Sequence, residues 1–236
     1  IVRDAQGRKM SKSLGNSPDI EKIMKTYGTD AMRFSLVNQI APGQDIFWKD
    51  SCCEIGKTFA NKIWNSARFL TMNAEKFDVN PLQVSYDDLA QSTKQVGDSI
   101  LDWITSEFFS LVEKVHTYMG RVEFSQVTSH LYEFVWMIYC DWFVELIKPR
   151  LQEGSSKELA QQSITVGLQI FDGILRLLHP VMPFVTEEIG QNLFSYQGKT
   201  MGFASLPTPQ TARVLEESIR NMREVQSVVG TVRTIR

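Results

Sequence analysis

Near the start of the chain, Gly7-Arg8-Lys9-Met10-Ser11-Lys12-Ser13-Leu14-Gly15-Asn16 crowds basic and hydroxyl side chains between two glycines. Each lysine offers an ammonium that acts as a mobile point charge toward phosphate oxygens, and the serines add hydroxyl donors. Gly7 and Gly15 let the backbone bend at both ends, so the loop can close over a polyanion and reopen. A solvated Lys/Ser turn is the plainer alternative.

A second stretch of interest is 59–72. Phe59, Ala60, Ile63, Trp64, Ala67 and Leu70 recur at helical spacing and form a stripe that faces a core. The opposite face then carries Asn61, Lys62, Asn65, Arg68 and Phe69. An exposed aromatic among amide and basic side chains is what single-stranded bases require: a stacking platform, edge readers and phosphate partners. The alternative is that Phe69 packs beneath a neighbouring element and the polar residues are merely solvated.

These stretches need a scaffold, and the composition supplies one. At 236 residues, 43% hydrophobic and 22% charged, the chain can bury a substantial core, which excludes disorder and fibres. Three cysteines, two of them adjacent, match neither a disulfide framework nor a metal-ligand spacing, so a reducing, cytoplasmic setting is the default and no metal site is expected. The richest apolar run, Leu131 to Ile147, is interrupted by Glu133, Asp141 and Glu145, which argues against a membrane span. Residues 1–76 hold 12 Lys+Arg against 8 Asp+Glu, whereas 77–236 hold 13 against 19, so a weakly basic front end sits on an acidic body. That distribution suits an anionic partner touching one side.

Ile1-Val2-Arg3-Asp4 reads as the end of a strand running straight into a loop, which suggests the C-terminal part of a longer protein. Ser17-Pro18-Asp19 predicts a capped helix that Gly28 stops, and Thr29-Asp30 starts a second one through Arg33 and Phe34. Pro42-Gly43-Gln44-Asp45 is a turn. From residue 50 onward the pattern is helical and strand signals are absent. Helices are predicted over 51–76, 86–119 with Gly120 ending it, and 124–151. Ser155-x-x-Glu158 predicts a capping box for a helix to Leu178, and Pro183 starts another to Phe194. A loop from Gly198 to Thr211 precedes a last helix reaching Arg236. The fold class is therefore mainly α: a short strand, loop and two short helices over 1–49, then an antiparallel helical bundle over 50–236.

The intact Lys9-Met10-Ser11-Lys12-Ser13 resembles the second signature of class I aminoacyl-tRNA synthetases. The resemblance implies ATP-dependent activation of an amino acid, with these residues binding ATP and its Mg2+. Lys12 foremost, with Lys9, would be catalytic, meeting charge that develops as pyrophosphate leaves. Met10 would anchor the loop on an apolar surface. Asn61-Lys62-Ile63-Trp64-Asn65-Ser66-Ala67-Arg68-Phe69 resembles the start of the anticodon-binding bundle of the valyl members. Gly43-Gln44-Asp45-Ile46, the string from Tyr139 to Leu151 and the string from Leu177 to Ile189 fit the same family. By position, Phe69 would stack on an anticodon base, Lys62 and Asn65 would read base edges, and Arg68 would hold backbone or orient a neighbour. The implied partners are valine tRNA, ATP and valine, with neither DNA nor a membrane.

The isoleucyl, leucyl and methionyl enzymes share the signature loop and the Asp30-Ala31-Met32-Arg33 type of segment, so another branched-chain synthetase is an alternative. A free-standing helical RNA-binding module is a second. Gly190 departs from the large aromatic usual after Glu-Glu-Ile, which predicts looser packing there, and Asn16-Ser17-Pro18-Asp19 departs from the commoner Asn-Val-x-Asp-Pro. His116, His130 and His179 lie in nothing like the first class I signature, and the nucleotide-binding sheet and editing domain have no counterpart. The piece alone is therefore expected to be inactive, without bound ATP. His179 reads as a helix-end residue, and Asp141 and Glu145 as partners of internal donors or solvent.

Overall fold

The computed structural model describes residues 1–40, 43–92, 97–196, 199–210 and 214–235. Strand β1 (Val2–Arg3) pairs in parallel with β2 (Ile46–Phe47), Val2 opposite Ile46 and Arg3 opposite Phe47. Arg3 also forms an antiparallel bridge with Lys9. Between the strands lie α1 (Ile20–Tyr27) and α2 (Thr29–Asn38), separated by Gly28 at φ 95°. The cap of α1 is Asp19, which accepts from the Lys22 amide, and not Ser17 as the motif suggested: Pro18 and Asp19 remain outside the helix. Of the expected turn at 42–45, Pro42 lies outside the described residues, as do Gly198, Thr211 and Arg236.

Everything after β2 among the described residues is helical or loop. Helix α3 (Cys53–Lys76) is preceded by a 3-10 turn at Asp50–Cys52. The predicted single helix over 86–119 is in fact a 3-10 turn (Tyr86–Asp88), a short α4 (Leu89–Ser92) and a long α5 (Ser99–Gly120). Asp98 starts α5 by accepting from the Ile100 and Leu101 amides, a capping geometry that no helix interior offers. At its end Gly120 is still helical, and Val122 takes the left-handed conformation at φ 61°.

The aromatic stretch begins as α6 (Phe124–Glu133), widens into a π-helical run over Phe134–Phe143, and ends in α7 (Val144–Ile147) with a 3-10 turn to Leu151. Helix α8 (Lys157–Leu178) is capped one residue later than the predicted box. Ser156 accepts from the Leu159 amide, while Ser155 donates to the Pro149 carbonyl. Helices α9 (Pro183–Leu193) and α10 (Glu216–Ile235) complete the chain.

A large core gathers side chains from α2, α3 and every later helix, with Trp103, Tyr139, Phe108, Phe143 and Phe171 fully buried. A smaller core of Ile23, Trp48 and Cys53 lies under the first segment. Gly190 is close-packed: a Cβ there would meet Met201 Cε at 2.4 Å and Tyr196 Cε2 at 3.1 Å, so those side chains fill the space an aromatic would take.

Candidate nucleic-acid interface and signature loop

Residues 5–16 owe their shape to Asp4, one of the few buried carboxylates. Its Oδ1 accepts from the amides of Gln6 (3.1 Å) and Arg8 (2.8 Å), and its Oδ2 from Arg8 Nε (2.8 Å) and Asn16 Nδ2 (3.0 Å). The Asn16 hydrogen bond, followed by those from Arg8, outweighs burial and lowers the Asp4 pKa to about 2. Asn16 closes the ring by accepting from the Ser11 amide at 2.9 Å. Ser11 Oγ lies 3.2 Å from Ser13 Oγ and accepts from the Leu14 amide at 3.3 Å, so its hydroxyl is already engaged within the loop.

Met10 is half-buried and packs against the small core, as Tyr27, Met32 and Leu36 also do. Lys9 and Lys12 are exposed, and among the described residues neither ammonium has an ion-pair partner. Two free ammoniums on a loop braced from below are what a polyphosphate would need. Sequence reasoning missed the Asp4–Asn16 brace. Its only local signal is a pair of Asx-type residues flanking the basic run.

On α3 the core stripe is turned from the predicted one. Phe59, Ile63, Ala67 and Leu70 are buried as expected, but Trp64 is 44% exposed and Ser66 is buried in its stead. The reason is local: Ser66 Oγ donates to the Lys62 carbonyl at 2.9 Å and lies 3.1 Å from Cys140 Sγ, so the hydroxyl is satisfied inside. Trp64 instead lines a groove of about 500 Å³ between α3 and α9, with Arg68, Met72, Glu188 and Leu193.

Asn65 and Arg68 are exposed, while Lys62 and Phe69 are half-buried, Phe69 packing on the large core. Lys62 Nζ is 2.8 Å from Asp141 Oδ1 and sits over the Trp136 ring at 4.8 Å. Trp136 in turn stacks on Tyr132 at 5.5 Å. Asp141 and Trp136 therefore belong to this face. Separations of more than 70 residues from Lys62 gave sequence reasoning no signal for them.

Helix α2 joins the two regions. Asp30 accepts from the amides of Phe184 (3.2 Å) and Val185 (2.6 Å), so its carboxylate caps α9, whose own cap residue Met182 contributes none. Burial raises the Asp30 pKa, and those two amides oppose the shift. Arg33 donates to the carbonyls of Pro180 (2.9 Å) and Val181 (3.0 Å). His179, at the end of α8, pairs through Nδ1 with Thr186 Oγ1 at 2.8 Å. Among the described residues no cluster of His, Cys, Asp or Glu could hold a metal ion, and no helix is long and apolar enough to cross a membrane.

Comparison with known proteins gives concordant findings. Residues 102–236 match the family described as the anticodon-binding domain of tRNA ligase, and residues 1–49 match tRNA synthetases class I (I, L, M and V). The chain is 36% identical over 240 residues to the valine–tRNA ligase of Chlorobaculum tepidum, and 37% over 238 residues to that of Bacillus subtilis. Each alignment covers 100% of this chain and 26% of the relative, so the chain spans about a quarter of their length. The fold is similar to that in a ternary complex of Agrobacterium radiobacter K84 agnB2 LeuRS with tRNA and LeuAMS, with a TM-score of 0.63 and 21% identity over 91% of this chain and 24% of that one.

Proposed function

Because the chain belongs to the anticodon-binding domain family of tRNA ligases, we propose that it works in a valine–tRNA ligase, joining a loop that handles ATP to helices that read the anticodon. The observation that carries this reading is its likeness, from end to end, to valine–tRNA ligases. Residues 1–49 are then the signature loop and stem-contact segment, and 50–236 an antiparallel bundle that binds the anticodon region of valine tRNA. Lys9 and Lys12, without an ion-pair partner among the described residues and set on a braced loop, would hold the triphosphate of ATP, with Mg2+ carried on the phosphates. Ser13 would add a hydroxyl donor and Met10 the apolar anchor. Lys12 would stabilise negative charge on the departing pyrophosphate as the valine carboxylate attacks.

On α3, Phe69 would stack on a base, Lys62 and Asn65 would meet base edges, and Arg68 would hold a phosphate or orient a neighbour. The chain by itself would bind tRNA without activating valine, in the reducing cytoplasm where its three cysteines stay free. The test is the affinity of this chain for valine tRNA beside the same tRNA with altered middle and third anticodon bases, at one salt concentration. A clear loss on altering the anticodon supports the reading. Equal affinities overturn it, leaving only a basic surface, and tighter binding of isoleucine or leucine tRNA would move the chain to another branch of the family.

A further inference from the structure

Away from the loop and from α3, a cavity of about 260 Å³ opens where α5, α6 with the π-helical run, and α10 meet. Each element lends it one stripe. Glu107, Leu111 and Lys114 follow one another up a face of α5, and His130, Phe134 and Ile138 do so along α6 and the π-helical run. Arg223 comes from α10, which the buried Ile219 and Met222 pin to the bundle. Among the described residues, Glu107, Lys114 and Arg223 have no ion-pair partner. Burial raises the Glu107 pKa, and the charges of Arg223 and Lys114 oppose the shift. His130 stacks on the Tyr118 ring at 5.2 Å, with its Nδ1 3.9 Å from Glu133 Oε2 at the rim. Burial and then Lys114 lower the His130 pKa, so the ring is uncharged at neutral pH.

We propose that this cavity binds a free amino acid with an apolar side chain, its carboxylate between Lys114 and Arg223, its ammonium toward Glu107 and Glu133, and its side chain on Leu111, Phe134 and Ile138. The inference is independent of how the chain meets RNA. Size selects a small molecule, because the volume falls below the about 300 to 1,000 Å³ of sites for drug-sized ligands and leaves no room for a nucleotide. Charge selects a zwitterion. With His130 uncharged, two cations face two carboxylates, so a phosphate or a polyamine would meet repulsion as well as attraction. An amino acid answers both, since its carboxylate only accepts and its ammonium only donates. Glu107 has lost part of its water with no counter-ion in contact among the described residues, a deficit that a bound ammonium removes. Leu111 and Phe134, 4% and 3% exposed, supply the apolar floor.

The experiment is an NMR titration of this chain's amide resonances with leucine, with isocaproate, which lacks the ammonium, and with isopentylamine, which lacks the carboxylate. Leucine should give saturable shifts at Lys114, His130 and Arg223 with a Kd of about 1 mM or tighter, and each analogue should bind about tenfold more weakly. Arg223→Met should weaken leucine about tenfold. Glu107→Gln should weaken leucine while leaving isocaproate unchanged, a difference that mere loosening of the fold would not produce. If Arg223→Met disturbs α10, Lys114→Met on the exposed face of α5 supplies the same measurement. Leucine shifts that fail to saturate at tens of millimolar overturn the site. Isocaproate binding as tightly as leucine overturns the zwitterion, as does leucine affinity unchanged by Glu107→Gln.

Discussion

Phe69 is half-buried, one side on the large core and the rest open beside Asn65 and Arg68. Truncation therefore has two separable effects. Phe69→Ala should cost about 1 to 3 kcal/mol of RNA affinity if the ring stacks on a base. A folded variant with unchanged affinity would return Phe69 to a purely packing role. Asp4 makes a different prediction, in pH. Its carboxyl titrates at about 2 in the folded chain against an ordinary 3.8, so its contribution is full above 3.8 and is lost as pH falls through about 2. Protection of the Arg8 and Ser11 amides, both bonded within the brace, should fall on acidification across that window when exchange is measured against the unstructured-peptide rate at the same pH. Protection that stays constant down to pH 2 would mean that the loop is held without Asp4. The basic loop was legible from residue types alone as a cluster of ammoniums and hydroxyls. Its brace was not, because an Asp before the loop and an Asn at its end look like ordinary turn formers until both are seen to share one carboxylate.

At the scale of elements, α2 and α3 approach so closely that position 56 admits no side chain: a Cβ would lie 2.4 Å from the Ala31 carbonyl oxygen and 2.7 Å from its Cα. Backbone atoms cannot yield as a side chain end would. Gly56→Ala should therefore cost about 1 to 3 kcal/mol through overpacking, against a helix-propensity gain of about 1 kcal/mol. A urea titration reads the balance, and a raised midpoint would show that the helices can part freely. Helix periodicity recovered α3, α8 and α9 to within a few residues. It joined 86–92 to α5 because an apolar stripe carries no record of the Asp98 cap that interrupts it. It placed Trp64 inside because the wheel ranks Trp above Ser, whereas the satisfied Ser66 hydroxyl and its Cys140 neighbour reverse that order. Nothing in the periodicity marks the π-helical run, since one extra residue per turn alters register without altering composition.

For the whole molecule, Arg176 is the central polar tie, only 6% exposed and paired at 2.7 Å with Asp172, itself 1% exposed. It also reaches Asp87 at 3.2 Å and Ser85 Oγ at 3.1 Å, while Asp172 accepts from the Tyr86 amide, so α8 is fastened to the segment leading into α4. Burial works against the charged guanidinium, but Asp172 and then Asp87 prevail and raise its pKa. Arg176→Met should leave Asp172 buried without its counter-ion and cost about 3 to 5 kcal/mol in chemical denaturation. A loss below 1 kcal/mol would show that the Tyr86 amide and the Tyr196 hydroxyl, which also donates to Asp172 at 2.5 Å, satisfy the carboxylate unaided. The docking of Asp30 and Arg33 on the turn between α8 and α9 ties the first segment to the same body. The sequence by itself determined the helical class, the basic loop and the polar face of α3, because those follow from residue type, local spacing and turn chemistry. Only the tertiary structure decided that Asp4 braces the loop, that Asp30 caps a helix 154 residues away, and that Asp141 stands beside Lys62. These are pairings across long stretches of chain, and their energy depends on where burial leaves a charge without water, which no local pattern encodes.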